Sequence, residues 1–330
     1  MRVLAGDIGG TKTLLRLVEV EGDQPRVIHE QRYDSHQYSH FLALTREFLA
    51  GVADAQPARA CFGVAGPVTE TPQGQTVETT NLPWRLDSAE LSHALGIRHV
   101  LLINDFKAVG YCIDRLAPHD LAQLQRGRPQ THGPRMVLGA GTGLGVAQLL
   151  WCGGHYEVFA SQGGHADFAP GDDEQIALLR FLTARHGHVT WEHVLSGSGL
   201  VSIYEFLITA DHADGSNLLA QRRQDQDPAA AISEAGLADR DPHARHALQI
   251  FADVYAAQAG NLALINLAYG GVYIAGGIAP KIIQLLDTDR FRRIFADKAK
   301  MTGLLNDMPV AVIINEQAGL LGAMQAALRL

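Results

Sequence analysis

Residues 3–17 read VLAGDIGGTKTLLRL, and the rest of the chain is organised around them. A short apolar run ends at Gly6-Asp7, the pair Gly9-Gly10 turns the backbone, and a second apolar run leaves through Leu14, Leu15 and Leu17. Glycine leaves the backbone bare, so phosphate oxygens can approach its N–H groups closely. A carboxylate at the end of the first strand repels a phosphate directly, but it orients Mg²⁺ that bridges phosphates, often through water. Thr11 adds a hydroxyl to the same turn. The P-loop pattern, G-x-x-x-x-G-K-[ST] before a helix, is absent: Thr11 stands five places after Gly6, and the residues beyond it alternate as in a strand. The G-x-G-x-x-G dinucleotide fingerprint is absent as well. Read alone, the stretch also fits an ordinary Gly-Gly hairpin. An echo at 137–150, VLGAGTGLGVAQLL, repeats strand, glycine-threonine turn and strand, and favours a phosphate-and-metal hairpin.

A chain of 330 residues is long for one core, so two domains are expected. The net charge of −8 and the lack of any basic run argue against nucleic acid or an anionic membrane surface as partner. Cys61, Cys112 and Cys152 lie far apart among apolar neighbours, as reduced thiols do, and offer neither a disulfide framework nor a CxxC metal site. A strand starting within three residues of Met1 leaves no room for a leader, and no apolar run is long enough to span a bilayer. A soluble cytoplasmic protein is the expectation.

Along the chain, 26–33 reads as a third strand, 38–53 as a helix and 58–68 as a small-residue strand. Asp87 or Ser88 caps a helix to Leu95, and the apolar run 97–103 is a strand buried on both faces. That run stops at Asn104-Asp105, with a helix expected over 106–116. Residues 118–134 are polar and rich in Gln, Arg, Gly and Pro, which places the domain boundary near their start. The second half opens with the second hairpin and a third strand at 156–160, followed by helices at 172–186, 191–195, 199–210 and 243–267. Strands are expected at 271–278 and 309–315, with a last helix at 318–330. The segment 211–241 reads as an irregular insertion around a short helix.

Six motifs now stand in order: GDIGGT at 6–11, LINDF at 102–106, GAGTGLG at 139–145, GGHADFAP at 163–170, HVLSGSGL at 193–200 and IAGGI at 274–278. Together they resemble the bacterial glucokinases, within the superfamily of sugar kinases, actin and heat-shock chaperone ATPases. The resemblance spans nearly the whole chain and is thinnest over 211–241. It implies two ribonuclease H-like (actin-type) α/β domains with mixed sheets facing a central cleft, one of 1–116 plus 316–330 and one of 117–315. It implies ATP and Mg²⁺ as cofactors, glucose as substrate and a homodimer. Gly6, Asp7, Ile8, Gly9, Gly10 and Thr11 match the first phosphate loop, Gly139, Gly141, Thr142 and Gly143 the second, and Gly276 and Gly277 the adenosine side. Asp7 matches the residue that positions Mg²⁺ through water. Asn104 and Asp105 match the sugar-contacting asparagine and the catalytic aspartate, while His165 and Glu192 match two further sugar ligands. The family usually has glutamate before Gly-Gly-His, where this chain has Gln162.

The residue chemistry carries alternatives beside these assignments. Asp105, at the carboxyl end of a buried strand, can take the proton of a sugar hydroxyl, yet Asn and Asp at this point also favour a helix cap. A neutral His165 donates and accepts, which suits a sugar hydroxyl, and a core histidine bonded to backbone is the competing reading. Glu192 in a first turn suits the helix dipole whether or not it binds sugar. Lys12 reads as a solvent-facing strand residue. His186, His188 and His193 lack a nearby cysteine and do not read as a zinc site, and the cysteine-rich zinc motif of the related repressor/open-reading-frame/kinase family does not follow His165. The activity expected is ATP-dependent phosphorylation of glucose. The rivals are a kinase for another hexose, a sugar-sensing regulator on the same fold, for which no helix-turn-helix precedes Asp7, and a chaperone- or actin-like ATPase.

Overall fold

A computed structural model describes residues 1–21, 24–52, 56–80, 82–210, 217–222 and 226–330. The chain divides into a unit of Met1–Pro118, Val158–Ala160 and Asn315–Leu330, and a unit of His119–Glu157 and Ser161–Ile314.

In the first unit, β1 (Arg2–Ile8), β2 (Lys12–Glu21) and β3 (Gln24–Asp34) form an antiparallel meander. A helix, α1 (Phe41–Ala50), precedes β4 (Arg59–Val64), which pairs parallel to β1. Next come β5 (Val68–Thr71), β6 (Gly74–Glu78) and β7 (Arg85–Asp87), a small antiparallel sheet absent from the sequence reading because its strands are short, polar and close to the turns. Then α2 (Ser88–Leu95), capped by Asp87, leads to β8 (His99–Asn104) and α3 (Asp105–Cys112). The main sheet runs β3-β2-β1-β4-β8. The helix expected to begin at Tyr38 starts after a His40 cap, and Ala53 lies outside the described residues. The helix expected to reach Leu116 tightens into a single 3₁₀ turn at Ile113–Arg115.

In the second unit, β9 (Leu121–Gln125) lies inside the stretch expected to be a polar break. It is an edge strand beside the last strand of its sheet, where alternating glutamines face solvent or bond the partner's backbone. The hairpin β10 (Arg135–Ala140) and β11 (Leu144–Cys152) and then β12 (His155–Ser161) repeat the opening meander. Helices α4 (Asp173–His186), α5 (Gly197–Ala210), α6 (Leu218–Gln221), α7 (Pro228–Leu237) and α8 (Pro242–Asn266) follow. Residues 211–216 and 223–225 of the expected insertion lie outside the described residues. Its described part is two helices, of which α7 begins with Asp227 as cap and Pro228 at its first position. Strand β13 (Gly271–Ala275) pairs parallel with β10, and three short helices, α9 (Ile283–Leu286), α10 (Asp289–Ala296) and α11 (Thr302–Asp307), precede β14 (Val310–Ile313). The sheet order is β12-β11-β10-β13-β14-β9. The meander β1–β3 thus recurs, after the edge strand β9, as β10–β12, and each is followed by parallel pairing, a duplication of architecture. No helix among the described residues is long and apolar enough to cross a membrane.

The last helix, α12 (Ala318–Arg329), belongs to the first unit. The period of two in β1 sends Leu4 and Ile8 into one core and Val3 and Ala5 into another, shared with Leu320 and Ala323 of α12 and Ala108 of α3. The same parity puts Asp7 on the α12 side. Glycine at 322 is what lets α12 sit down on α3, because a methyl group there would overlap the Ala108 carbonyl. On an isolated helix Gly322→Ala stabilises by ~1 kcal/mol. Here the added carbon must push two backbones apart, so we expect a net loss of about 2 kcal/mol in urea unfolding. A gain in stability would mean that α12 and α3 have room between them.

Candidate functional site

The first unit builds its site at the carboxyl ends of β1 and β8. Asp7 is in register with Leu14 on one side and Gly63 on the other, and its carboxylate lies where a side chain on Gly319 would go. It is half-buried. Burial, and then the charge of Asp105, push Asp7 up to about 6. Beyond it the chain turns at Gly9, whose N–H donates to the Lys12 carbonyl at 3.0 Å. Ser35 buttresses that turn: its N–H donates to the Thr11 carbonyl at 2.9 Å and its hydroxyl to the Gly9 carbonyl at 3.3 Å, beside Thr13 Oγ1 at 2.9 Å. Among the described residues, no protein acceptor meets the Gly10 and Thr11 amides, which suits them to an anion.

At the end of β8, Asn104 is the helix cap. Its Oδ1 accepts from the amides of Phe106 at 3.0 Å and Lys107 at 3.2 Å, and its Nδ2 donates to the Gly66 carbonyl at 3.4 Å. That settles the competition over capping: Asp105 is the first helical residue, with its Oδ1 accepting from Phe106 N–H at 2.9 Å. Burial holds the Asp105 carboxyl above the usual carboxylate range, against the pull of the Phe106 amide.

In the second unit the turn Gly141–Thr142–Gly143 joins β10 to β11. Gly141 N–H donates to the Gly143 carbonyl at 2.9 Å, and the Gly141 carbonyl accepts from Gly197 N–H at the start of α5 at 2.8 Å. The turn is pinned from below by Tyr255 of α8, whose hydroxyl accepts from Ala140 N–H at 2.9 Å and donates to the Ala275 carbonyl at 3.3 Å. Gly276 adopts φ +84°, and a side chain there would strike the Ala140 carbonyl, so only glycine lets the β13 turn close on the β10 turn. Around these turns opens a cavity of about 1010 Å³, within the size range of small-ligand sites. Gly141, Thr142, Ser198, Gly277, Lys281 and one face of α7, with Glu234, line it.

Glu192 sits in a single turn, Trp191–His193, rather than in a helix. Its Oε2 accepts from Leu144 N–H at 2.8 Å, just past the glycine turn, and Ser196 Oγ donates to its carbonyl at 2.7 Å while accepting from Gly199 N–H at 3.0 Å. His165 ends the turn Gly163–His165, exposed, with Nδ1 at 3.9 Å from Glu192 Oε1, too far for a hydrogen bond. Gln162 precedes that turn with its side chain exposed, and its carbonyl accepts from His165 N–H at 2.9 Å.

Of the residues marked from the sequence, the first unit groups Asp7, Asn104 and Asp105 beside Gly9, Gly10 and Thr11. The second groups Gln162, His165 and Glu192, and sets Gly141, Thr142 and Gly277 on one cavity wall. Gly6, Ile8 and Gly139 are buried inside strands: Gly6 is wedged between Phe62 and Leu15, and Gly139 is paired with Gly145 and Ala275. Lys12 is exposed. Ser35, Tyr255, Ser196 and the cavity face of α7 escaped the sequence reading. The first three act through contacts distant in sequence or through a motif with no assigned role, and α7 lies in an alanine-rich segment without a distinct pattern.

The donor chemistry fits Mg²⁺. Among the described residues no group of three or more His, Cys, Asp or Glu could hold a metal, and Mg²⁺ needs no such cage, using one or two carboxylates with phosphates and water. A half-buried Asp7, raised by burial and then by a second carboxylate, suits that mode. An aspartate raised in the folded state loses its proton later than the unfolded chain does. Stability therefore falls as pH rises from the ordinary 3.8 to about 6, and the full cost stands above that. Asp7→Asn should raise metal-free stability at pH ~7.5 by on the order of 2 kcal/mol, the gain vanishing below pH ~4. Calorimetry at both pH values checks it, and no gain near neutrality would show a well-solvated carboxylate.

The glucokinase family profile matches residues 4–330. A glucokinase from Nostoc punctiforme is 44% identical over 342 aligned residues, covering 99% of each chain. The crystal structure of a glucokinase from an Antarctic psychrotroph aligns with a TM-score of 0.86 at 28% identity, covering 100% of this chain and 99% of that one. A ROK family glucokinase from Streptomyces griseus, solved with glucose and AMPPNP, shares the fold with a TM-score of 0.66 at 21% identity over 100% of both chains. The two mixed sheets described above are thus those of the actin-like ATPase fold of sugar kinases.

Proposed function

Since the chain belongs to the glucokinase family, we infer that it moves the γ-phosphoryl group of ATP onto the 6-hydroxyl of glucose, with Asp105 as the general base. The observation that carries this assignment is the division of labour at the end of β8. Asn104 takes the capping bonds, which leaves a half-buried carboxylate at the mouth of a parallel strand with no structural duty that asparagine would not also fill. Its raised proton affinity brings it nearer to the operating pH, where a base works best.

The sugar O6–H proton passes to the Asp105 carboxylate as O6 forms its bond to the γ-phosphorus, and the bond from that phosphorus to the β,γ-bridging oxygen breaks to release ADP. Phosphoryl transfer asks for alignment and charge neutralisation rather than covalent help from the protein. The Gly10 and Thr11 amides and the turn 141–143 supply donors for phosphate oxygens. Asp7 would hold Mg²⁺, which when bound supplies neutralisation of charge on the transferred group. The cavity beside Gly277 and α7 takes the nucleoside. Asn104, His165 and Glu192 bind sugar hydroxyls, and Gln162 offers one acceptor and one donor where a glutamate would offer acceptors alone. Operation at the start of glycolysis, in the cytoplasm and as a homodimer, is supported by family membership alone.

Asp105→Asn keeps shape and loses basicity. We expect kcat to fall by roughly 10²–10⁴-fold while the Kd for glucose, read by calorimetry, stays within about tenfold. Turnover within a factor of a few of the parent would remove Asp105 from the role of base.

A further inference from the structure

The turn that carries Glu192 is locked by the residue after it. Thr190 N–H donates to His193 Nδ1 at 3.0 Å, and Thr190 Oγ1 stands at 3.0 Å from the same nitrogen. A ring nitrogen that accepts a backbone N–H carries no proton, so the other nitrogen bears it and the imidazole is neutral. The segment held this way also ties the neighbouring turn in place. Asp167 and Thr190 form an isolated antiparallel bridge, Trp191 N–H donates to the Ala166 carbonyl at 2.9 Å, and Phe168 N–H to the Val189 carbonyl at 3.0 Å. One acceptor nitrogen therefore sits at the centre of the strip that presents His165 on one side and Glu192 on the other.

We propose that His193 is a positioning residue whose neutral ring fixes Glu192 for the sugar, and whose protonation releases it. This rests on reading Glu192 as a sugar ligand. Protonated imidazole donates from both nitrogens, so Nδ1–H would meet Thr190 N–H head on; Thr190 Oγ1 can still accept from it, but the backbone half of the cap would open. The groups facing the ring act in both directions. His186 of α4 stacks on it at 4.5 Å between ring centres, and His165 and His188 add positive charge when protonated, His188 being itself paired with Asp167 at 3.0 Å. Glu192 opposes them. Burial, and next His186, win, and His193 is held below the usual histidine value of 6.5. A histidine depressed in the folded state gives its full stabilisation above that value and loses it as pH falls, so the lock is intact at neutrality and opens in acid.

The test uses the full-length enzyme and four forms. His193→Asn keeps an acceptor at the place of Nδ1 and cannot titrate, His193→Ala removes the acceptor, and Glu192→Gln checks the sugar reading. Expected are a parental KM for glucose at pH 7.5 in His193→Asn, a KM raised roughly tenfold with kcat little changed in His193→Ala, and a rise in KM between pH 7.5 and 5.5 that is steeper in the parent than in His193→Asn. Protection of the Leu144 amide from hydrogen exchange, read without substrate, should fall in acid in the parent and persist in His193→Asn. Superimposable KM–pH profiles for parent and His193→Asn, with Glu192→Gln still raising KM, would overturn the proposal alone. An unchanged KM in Glu192→Gln would overturn the sugar-ligand reading and the proposal with it.

Discussion

Everything chemical in the first unit depends on how closely α12 lies against β1 and α3. The contact is made by glycine: a side chain on Gly322 would strike the Ala108 carbonyl and hold the helix off, and one on Gly319 would displace the Asp7 carboxylate. The helix comes from the far end of the chain, yet it closes the core that begins at Val3 and Ala5. Its approach thins the water around Asp7 and, through α3, fixes Asp105 beside it. The cost is electrostatic, since two like charges share a poorly hydrated corner and Asp7 rises to about 6. A fold selected for stability alone would place an amide or an apolar group there. Retaining carboxylates makes sense where a cation and a proton acceptor are needed side by side.

The second unit solves a different problem with neutral hydrogen bonds. Its glycine turns carry no charge and would drift without support from below. Tyr255 supplies it by bridging Ala140 and Ala275, the last residues of two parallel strands, which ties the two turns together. Glu192 and Ser196 add a second tier, linking the β10–β11 turn to the start of α5. His193 secures that tier through a single acceptor nitrogen. Rigid strand ends thus present backbone donors, while His165 and Glu192 stand on short turns held by a few nameable bonds.

What could be read from the sequence follows from the range of the interactions. The two glycine-threonine hairpins and the Asn104-Asp105 step are local: apolar runs, glycines and an abrupt polar stop sit next to each other in the chain. The apolar runs 97–103 and 271–278 announced strands for the same reason, and the structure adds that both pair in parallel. Where a feature depends on distant partners, adjacent residues were silent. Gly6 and Gly139 looked like loop glycines, but they are strand residues thinned to admit Phe62 with Leu15 or to pair within a sheet. The strand LAQLQ at Leu121–Gln125 was hidden because an edge position permits glutamine. The helix α7 hid in an alanine-rich stretch whose only signals are a cap at Asp227 and a proline after it, and its use as a cavity wall is visible only in three dimensions.

The most direct measurement is phosphorus NMR of the purified chain with MgATP, run with and without glucose. Conversion of the γ-phosphate signal into one phosphomonoester coupled to the protons on carbon 6, with one ADP formed per ester and little inorganic phosphate in the absence of sugar, is the expected result. Release of inorganic phosphate at the same rate whether or not glucose is present would contradict it, because Asp105 would then be serving water rather than a sugar hydroxyl.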